Sequence, residues 1–219
     1  MDKVLIIIPA HNEENHVGNV VRGAKKYGQV IVVDDGSTDN TSGTAYEAGA
    51  KVFKLSKNRG KGYALRFGAK KAIEMGANTL VFMDADEQHN PEDIPKFLKK
   101  YYESENIVFG QRQGEGKMPF IKKIGNWGIG FLFKSLFKED PKDMLCGFKT
   151  MNKDSFEKII WKHDGYEVEI EMLVNILKNK LKIEYVDIPI VYLDRKKGTT
   201  IKDGVSIVKN IIKIKMGII

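Results

Sequence analysis

Apolar residues run without a break from position 4 to position 8 (VLIII) and stop at Pro9. A short, β-branched run of this kind predicts a strand buried on both faces. The pattern recurs. "VIVV" leads into Asp34 and Asp35, "TLVFM" into Asp84 and Asp86, and "NIVFG" into Gln111 and Arg112. Between these runs the period changes. Val17, Val20, Val21 and Ala24 share a helical face, with Asn12 as the expected cap and Glu13 and Glu14 in the first turn. Residues 40–50 predict a weak helix, 51–55 a short strand and 61–75 a helix; Pro91 opens another helix toward Tyr102.

Strands alternating with helices predict an α/β fold, a mainly parallel sheet flanked by helices. In such sheets ligands bind beyond the carboxyl ends of the strands. Those ends carry polar residues in every case here, so chemistry gathers on one rim. The second half is less regular. Residues 110–119 (GQRQGEGKMP) predict a mobile loop and 120–137 a helix. Residues 147–160 predict a strand, an Asp154-led turn and a helix, and 166–178 another helix. Residues 182–193 predict a strand pair or one bent strand, and 194–204 a basic loop. The tail, 205–219, predicts a basic amphipathic helix. One domain over 1–204 is expected, with the tail either part of it or facing a membrane.

Composition narrows the picture. At 42% hydrophobic, 219 residues suffice for one sizeable core. A single cysteine, Cys146, excludes an internal disulfide framework and fits a reducing compartment such as the cytoplasm. The N-terminal pattern is not that of a signal peptide, and no apolar stretch nears the roughly 18 residues of a spanning helix. The net charge of +7 favours anionic partners. No basic face interleaved with aromatics argues for nucleic acid. His16, His89 and His163 make no zinc pattern, with His89 expected in a solvated turn in preference to a place behind the metal-binding residues; Trp127 and Trp161 are expected in the core.

Asp84 and Asp86 pose the sharpest question, because like charges this close repel unless a cation sits between them. At a strand end, residues i and i+2 point the same way. With Gln88 they form an oxygen-only set suited to Mg²⁺ or Mn²⁺, often completed by substrate phosphates. As a lone motif, "DAD" reads better as a turn or helix cap; three acidic strand ends in one sheet reverse that preference. For "VVDDGSTDNT", nucleoside binding and ordinary turn chemistry stand level. "NRGKGYALRFG" places cations and backbone N–H groups at a helix start, which suits phosphate, although it lacks the P-loop pattern and a solvated basic turn explains it too.

The segments "IIIPAHNEE", "VVDDGSTDNT", "NRGKGYALRFG" and "MDADEQHNPED" resemble, in order and spacing, glycosyltransferase family 2. "GQR", "LCGFK" and "DRKKGTTIK" extend the likeness toward its dolichyl-phosphate mannose or glucose synthase branch. The resemblance implies a GT-A-type fold, an inverting mechanism and a nucleotide-sugar donor. It places Pro9, His11 and Glu13 at donor-binding positions, Asp34 and Asp35 at the nucleoside, and Ala85 with its flanking aspartates at the donor. It assigns Asp84, Asp86 and Gln88 to the metal and Arg112 to donor or acceptor phosphate. His11 departs from the tyrosine usual in the mannose synthases. Arg195 and Lys202 resemble the late basic pair, whose usual spacing is one residue shorter.

A polyprenyl phosphate acceptor is already an anion and needs cations around it: Arg112, Arg195, Lys202 and Lys122 or Lys123. A hydroxyl acceptor needs a carboxylate base instead. Asp143 is the first candidate, with Glu167 and Glu169 behind it. A nucleotidyltransferase is a rival from another class, but it calls for a glycine-rich basic loop after the first strand, where this chain has "PAHNEE". A non-catalytic nucleotide-sugar binding subunit is the third alternative. The tail's Ile201, Val205, Val208 and Ile212 share a face opposite Lys209 and Lys213, which suits either a membrane interface or packing on protein. The sugar, the base and the oligomeric state stay open.

Overall fold

A computed structural model describes residues 2–113, 120–138, 142–189 and 208, with side chains of 120–127 and 129 left aside. In chain order the elements are β1 (Val4–Ala10), α1 (Val17–Ala24), β2 (Gln29–Asp34), α2 (Thr41–Glu47), β3 (Lys51–Lys54), α3 (Lys61–Glu74) and β4 (Thr79–Phe82). A 3-10 turn at Pro91–Asp93 leads into α4 (Ile94–Ser104), followed by β5 (Ile107–Gln113) and α5 (Phe120–Phe137). β6 (Lys149–Asn152), α6 (Lys153–Lys158), α7 (Val168–Lys178) and β7 (Ile183–Pro189) complete it.

The seven strands form one sheet in the order β3-β2-β1-β4-β6-β5-β7. All pairings are parallel except those of β6, which runs antiparallel to both β4 and β5. The sheet is mainly parallel, as the alternation predicts, with one reversed strand inserted. Residues 182–193 yield a single described strand, and the rest of that segment lies outside the described residues.

Strand alternation sorts the core. Ile6, Ile8 and Ala10 face one apolar cluster, built with Val17, Val20 and Val21 of α1, Ala45 of α2 and Phe97 of α4. Leu5 and Ile7 face the other, with Ala64 and Ala69 of α3, Phe156 of α6 and Met172 of α7. A Cβ at Gly68 would stand 2.6 Å from Ile7, so α3 lies close on the sheet. Ile7 is fully buried, and its truncation to alanine would cost about 2–5 kcal/mol. A third cluster joins Phe133 of α5 to Ile170, Leu173 and Val174 of α7, and Val208 of the tail packs against it.

Three boundaries differ from expectation. β1 continues through Pro9 to Ala10, pairing only with β2 there, because its register with β4 ends at Ile7. A proline is tolerated where one side of the ladder has already opened. β4 ends at Phe82, so Asp84 and Asp86 lie in the turn beyond it, and strand alternation is not what aligns them. α1 begins at Val17 after His16; Asn12 sits in the connecting loop with a left-handed φ of 55° and is not the N-cap of that helix.

Candidate active site

Strand order reverses between β1 and β4, and the rim above that switch point holds an open cleft of about 550 Å³. That volume suits a small organic ligand. Pro9, Ala10, His11, Asn12 and Glu13 line one side, and Asp84, Ala85, Asp86 and Gln88 the other. Asp35, Gly60, Lys61, Arg112, Tyr166 and Glu169 complete the walls. The cleft thus gathers Pro9, His11, Glu13, Asp35, Asp84, Ala85, Asp86, Gln88 and Arg112 of the residues singled out in the sequence.

The wall above β1 and β2 is stitched by hydrogen bonds. His11 Nδ1 lies 2.9 Å from the Asp35 carbonyl, which only accepts, so Nδ1 carries the proton and Nε2 is left as an acceptor. The backbone N–H of Asn12 donates to Ser37 Oγ (2.9 Å) and that of Glu13 to Thr41 Oγ1 (2.8 Å). Asn12 Oδ1 accepts from the Thr38 N–H at 2.9 Å. The two adjacent aspartates part company. Asp34 is fully buried, and its carboxylate accepts from the Ser37 N–H and the Ser42 hydroxyl. Asp34, expected at the nucleoside, is thus placed beneath the turn and is not among the cleft-lining residues. Asp35 faces the cleft and accepts from the N–H groups of Arg59 and Gly60, both at 2.7 Å. Those N–H groups, read from sequence as suited to phosphate, are thus spent on Asp35. A carboxylate retains further lone pairs for a ligand.

The opposite wall is charged. Lys61 Nζ sits 2.7 Å from Asp84 Oδ1 and 3.3 Å from Glu169 Oε1. Glu169 in turn pairs with Lys149, and both are buried. Burial opposes the charge on Lys61, but Asp84 and Glu169 outweigh it and hold the ammonium above the ordinary lysine range. Burial likewise opposes ionisation of Asp84, and Lys61 followed by His89 outweighs it, so this carboxyl lies well below its ordinary range. Asp86 goes the other way: burial and then the charge of Asp84 push it up to about 6. The repulsion posed by "DAD" is thus answered in part by Lys61.

His89 is not in a solvated turn. It is 4% exposed, its Nδ1 accepts the Asp84 N–H at 3.2 Å, and burial, partly countered by Asp84, lowers its pKa to about 4. Gly147 packs so close to Asp84 that a Cβ would lie 2.5 Å from Oδ2. Asp84, Asp86 and Gln88 fit a hard divalent cation: all offer oxygen, all line one wall, and the surplus charge felt by Asp86 is what such an ion would relieve. Among the described residues no cluster of three or more His, Cys, Asp or Glu forms a protein-only cage. Two carboxylates with the remaining positions left to substrate is the usual Mg²⁺ arrangement.

Arg112, at the end of β5, grips Asp143 in a fork, Nε to Oδ2 at 2.7 Å and Nη2 to Oδ1 at 2.8 Å. The Arg112 N–H adds a third bond to Oδ2 at 3.2 Å. Burial works against the Asp143 charge, and Arg112 outweighs it, holding the carboxyl below its ordinary range. Asp143, the candidate general base, thus stands in an ion pair, and a carboxylate so held is a poor proton acceptor. It is the counter-ion that orients Arg112. Arg195 and Lys202 lie outside the described residues, as do the side chains of Lys122 and Lys123 and most of 205–219. Tyr166 lines the cleft without a sequence signal, and Lys61 and Glu169, which the sequence suggests as a phosphate cation and a reserve base, line it as an ion pair. "LCGFK" was the available signal for Gly147 and Lys149, but no local pattern tells that its strand is reversed.

A parallel sheet with its cleft at the switch point and acidic residues after β4 defines a GT-A-type transferase fold. The computed structure superposes on glucosyl-3-phosphoglycerate synthase of Mycobacterium tuberculosis in complex with Mn²⁺, uridine diphosphate and glucosyl-3-phosphoglycerate. The TM-score is 0.78 at 20% identity, over 99% of this chain and 80% of that one. The sequence profile of glycosyl transferase family 2 matches residues 5–160, and the chain belongs to that family and is a glycosyltransferase. It is 34% identical over 245 residues to the UDP-N-acetylglucosamine–dolichyl-phosphate N-acetylglucosaminyltransferase of Methanococcus voltae, covering 99% of this chain and 98% of the relative. It is 28% identical to the dolichol-phosphate mannosyltransferase of Pyrococcus furiosus, over 94% of this chain and 60% of that protein.

Proposed function

We propose that the protein transfers a sugar from a nucleotide diphosphate to a polyprenyl phosphate, with inversion and with a divalent cation. The observation that carries the choice of acceptor is the Arg112–Asp143 fork. A hydroxyl acceptor needs a base, and Asp143, the first candidate, is held as a counter-ion; of the two behind it, Glu169 is paired with Lys61 and Lys149 and Glu167 is not among the cleft-lining residues. A phosphate acceptor needs no base and calls for cations, which this end of the cleft supplies in Arg112 and Lys61. The names of the two dolichyl-phosphate relatives support the same reading.

In this reading His11, Glu13 and Asp35 receive the nucleoside, with His11 Nε2 and the Asp35 carboxylate as acceptors for donor groups on base or ribose. Asp84, Asp86 and Gln88 hold Mg²⁺ or Mn²⁺. When bound, that ion supplies Lewis-acid stabilisation of the departing diphosphate. Lys61 stands beside the same phosphates, Arg112 orients the acceptor phosphate, and Arg195 and Lys202 add charge from the later segment. The acceptor oxygen attacks the anomeric carbon from the face opposite the diphosphate. No helix among the described residues is long and apolar enough to cross a membrane. Contact with a lipid-borne acceptor is therefore proposed to be peripheral, with the 205–219 tail as one means; flotation with liposomes tests that part.

The direct test is single-turnover transfer of label from a panel of GDP- and UDP-sugars, with Mn²⁺, to a short polyprenyl phosphate. Label entering the lipid phase from one donor, and absent with Asp86→Ala, is the expected result. Donor binding without lipid labelling would shift the reading to hydroxyl acceptors.

A further inference from the structure

Residues 161–166 cross from α6 to α7 without regular structure, yet they are fastened on both sides. From α7, Glu171 accepts the backbone N–H groups of Lys162 and His163, each at 2.9 Å, and His163 Nδ1 at 2.7 Å. Glu171 is 8% exposed, so a desolvated carboxylate on the first turn of a helix is spent on a loop. From the other side the first turn of α3 receives the strap. Trp161 Nε1 donates to the Gly62 carbonyl at 2.8 Å, the Tyr63 N–H to the Asp164 carbonyl at 3.2 Å, and Arg66 Nη2 to Asp164 Oδ1 at 2.6 Å.

The fit there excludes side chains. A Cβ at Gly60 would lie 2.4 Å from the Asp164 carbonyl oxygen, and one at Gly62 2.4 Å from that of His163. Gly60 also has a φ of 98°, which L side chains rarely adopt. Between these two glycines stands Lys61, whose ammonium meets Asp84 at 2.7 Å. The path from Glu171 to the acidic wall is thus continuous: carboxylate, strap, glycine-flanked turn, lysine, aspartate.

We propose that Glu171 is a positioning residue for the donor site: it presses the 161–166 strap onto Gly60 and Gly62, and the strap sets Lys61 against Asp84. The role given to the donor rests on the function proposed above; the placement of Lys61 does not. Glu171 itself is not among the cleft-lining residues and acts only through the strap.

The test compares wild type with Glu171→Gln, which keeps size and loses charge, and with Gly62→Ala, which lifts the strap from the other side. Pulse acetylation read by mass spectrometry reports on Lys61. Several-fold faster labelling of Lys61 in both variants, with labelling of exposed Lys70 and Lys99 unchanged, is expected. Titration with UDP and GDP in Mn²⁺ should show about tenfold weaker binding in each variant, and the double variant should be no weaker than the worse single, since the two act on one contact. Donor KM should rise while kcat at saturation moves less than about twofold. Unchanged Lys61 labelling in both variants would overturn the proposal whatever the nucleotide does. So would additive losses in the double variant. Wild type that binds neither nucleotide, with Lys61 labelling still released, would count against the proposed function and leave the positioning role standing.

Discussion

The two walls of the cleft satisfy their carboxylates by different means. On the β1–β2 side, Asp34 and Asp35 take backbone N–H groups and a serine hydroxyl. On the β4–β6–α7 side, Asp84 and Glu169 take lysines, and Asp143 takes an arginine. The first wall rests mainly on backbone dipoles, with Lys54 standing off at 3.9 Å from Asp34. The second is a balance of formal charges. In the function proposed above, the nucleoside meets the first wall, and the phosphates and metal meet the second.

The largest expected effect breaks the charged wall at Asp86. Asp86→Ala should lower transfer by about 100-fold or more, since in the function proposed above it removes a carboxylate that would hold the cation set against the departing diphosphate. Single-turnover kinetics check it, and chelation of the metal in wild type should give a loss of similar size. If nucleotide affinity without metal is also lost, the division of labour between the walls is wrong.

Lys149→Met should cost about 3 kcal/mol in urea unfolding, because Glu169 then remains buried with one partner fewer. Adding Glu169→Gln should recover most of that loss. On the other wall, Asp35→Asn should cost about 1–3 kcal/mol, because an amide NH₂ then faces one of two N–H donors.

A pH experiment sharpens the contrast further. Asp143 is held below its ordinary range, so its pair with Arg112 stabilises the fold at neutral pH. That contribution is lost as pH falls through the folded-state pKa of Asp143. Asp143→Asn should be less stable than wild type near neutrality by about 1–2 kcal/mol and should lose less on acidification, by thermal melts across the carboxylate range. The smallest effect is at Cys146, fully buried with its thiol pushed up to about 12 by burial and by Asp143. A thiol reagent should find no cysteine in the native protein and one equivalent after denaturation.

The same contrast explains what was legible. β1, β2, β4 and β5 announce themselves as apolar runs with polar ends, and the rim they share follows from the parallel rule. Asp34 and Asp35 could not be told apart, because neighbours at a strand end point opposite ways and one residue of register decides which faces the cleft. Asp84 and Asp86 were found through an alternation that does not extend to them; the turn beyond β4 brings them together. The charged wall was hardest. Lys149 and Glu169 look like surface residues by type, and only the reversed strand β6 and the approach of α7 make them interior. Asp143 illustrates the limit: a carboxylate near a cleft reads as a base until its arginine is seen.

The reversed strand has one more consequence. β5 runs toward the rim and β6 runs away from it, so the chain between them leaves and returns at the same edge of the sheet. The end of β5 and the start of β6 therefore lie side by side at the rim, where the Gly110 N–H bonds the Phe148 carbonyl at 2.9 Å. The reversal of β6 thus brings Asp143, which precedes it, back to the Arg112 that ends β5, although 31 positions separate the two in sequence.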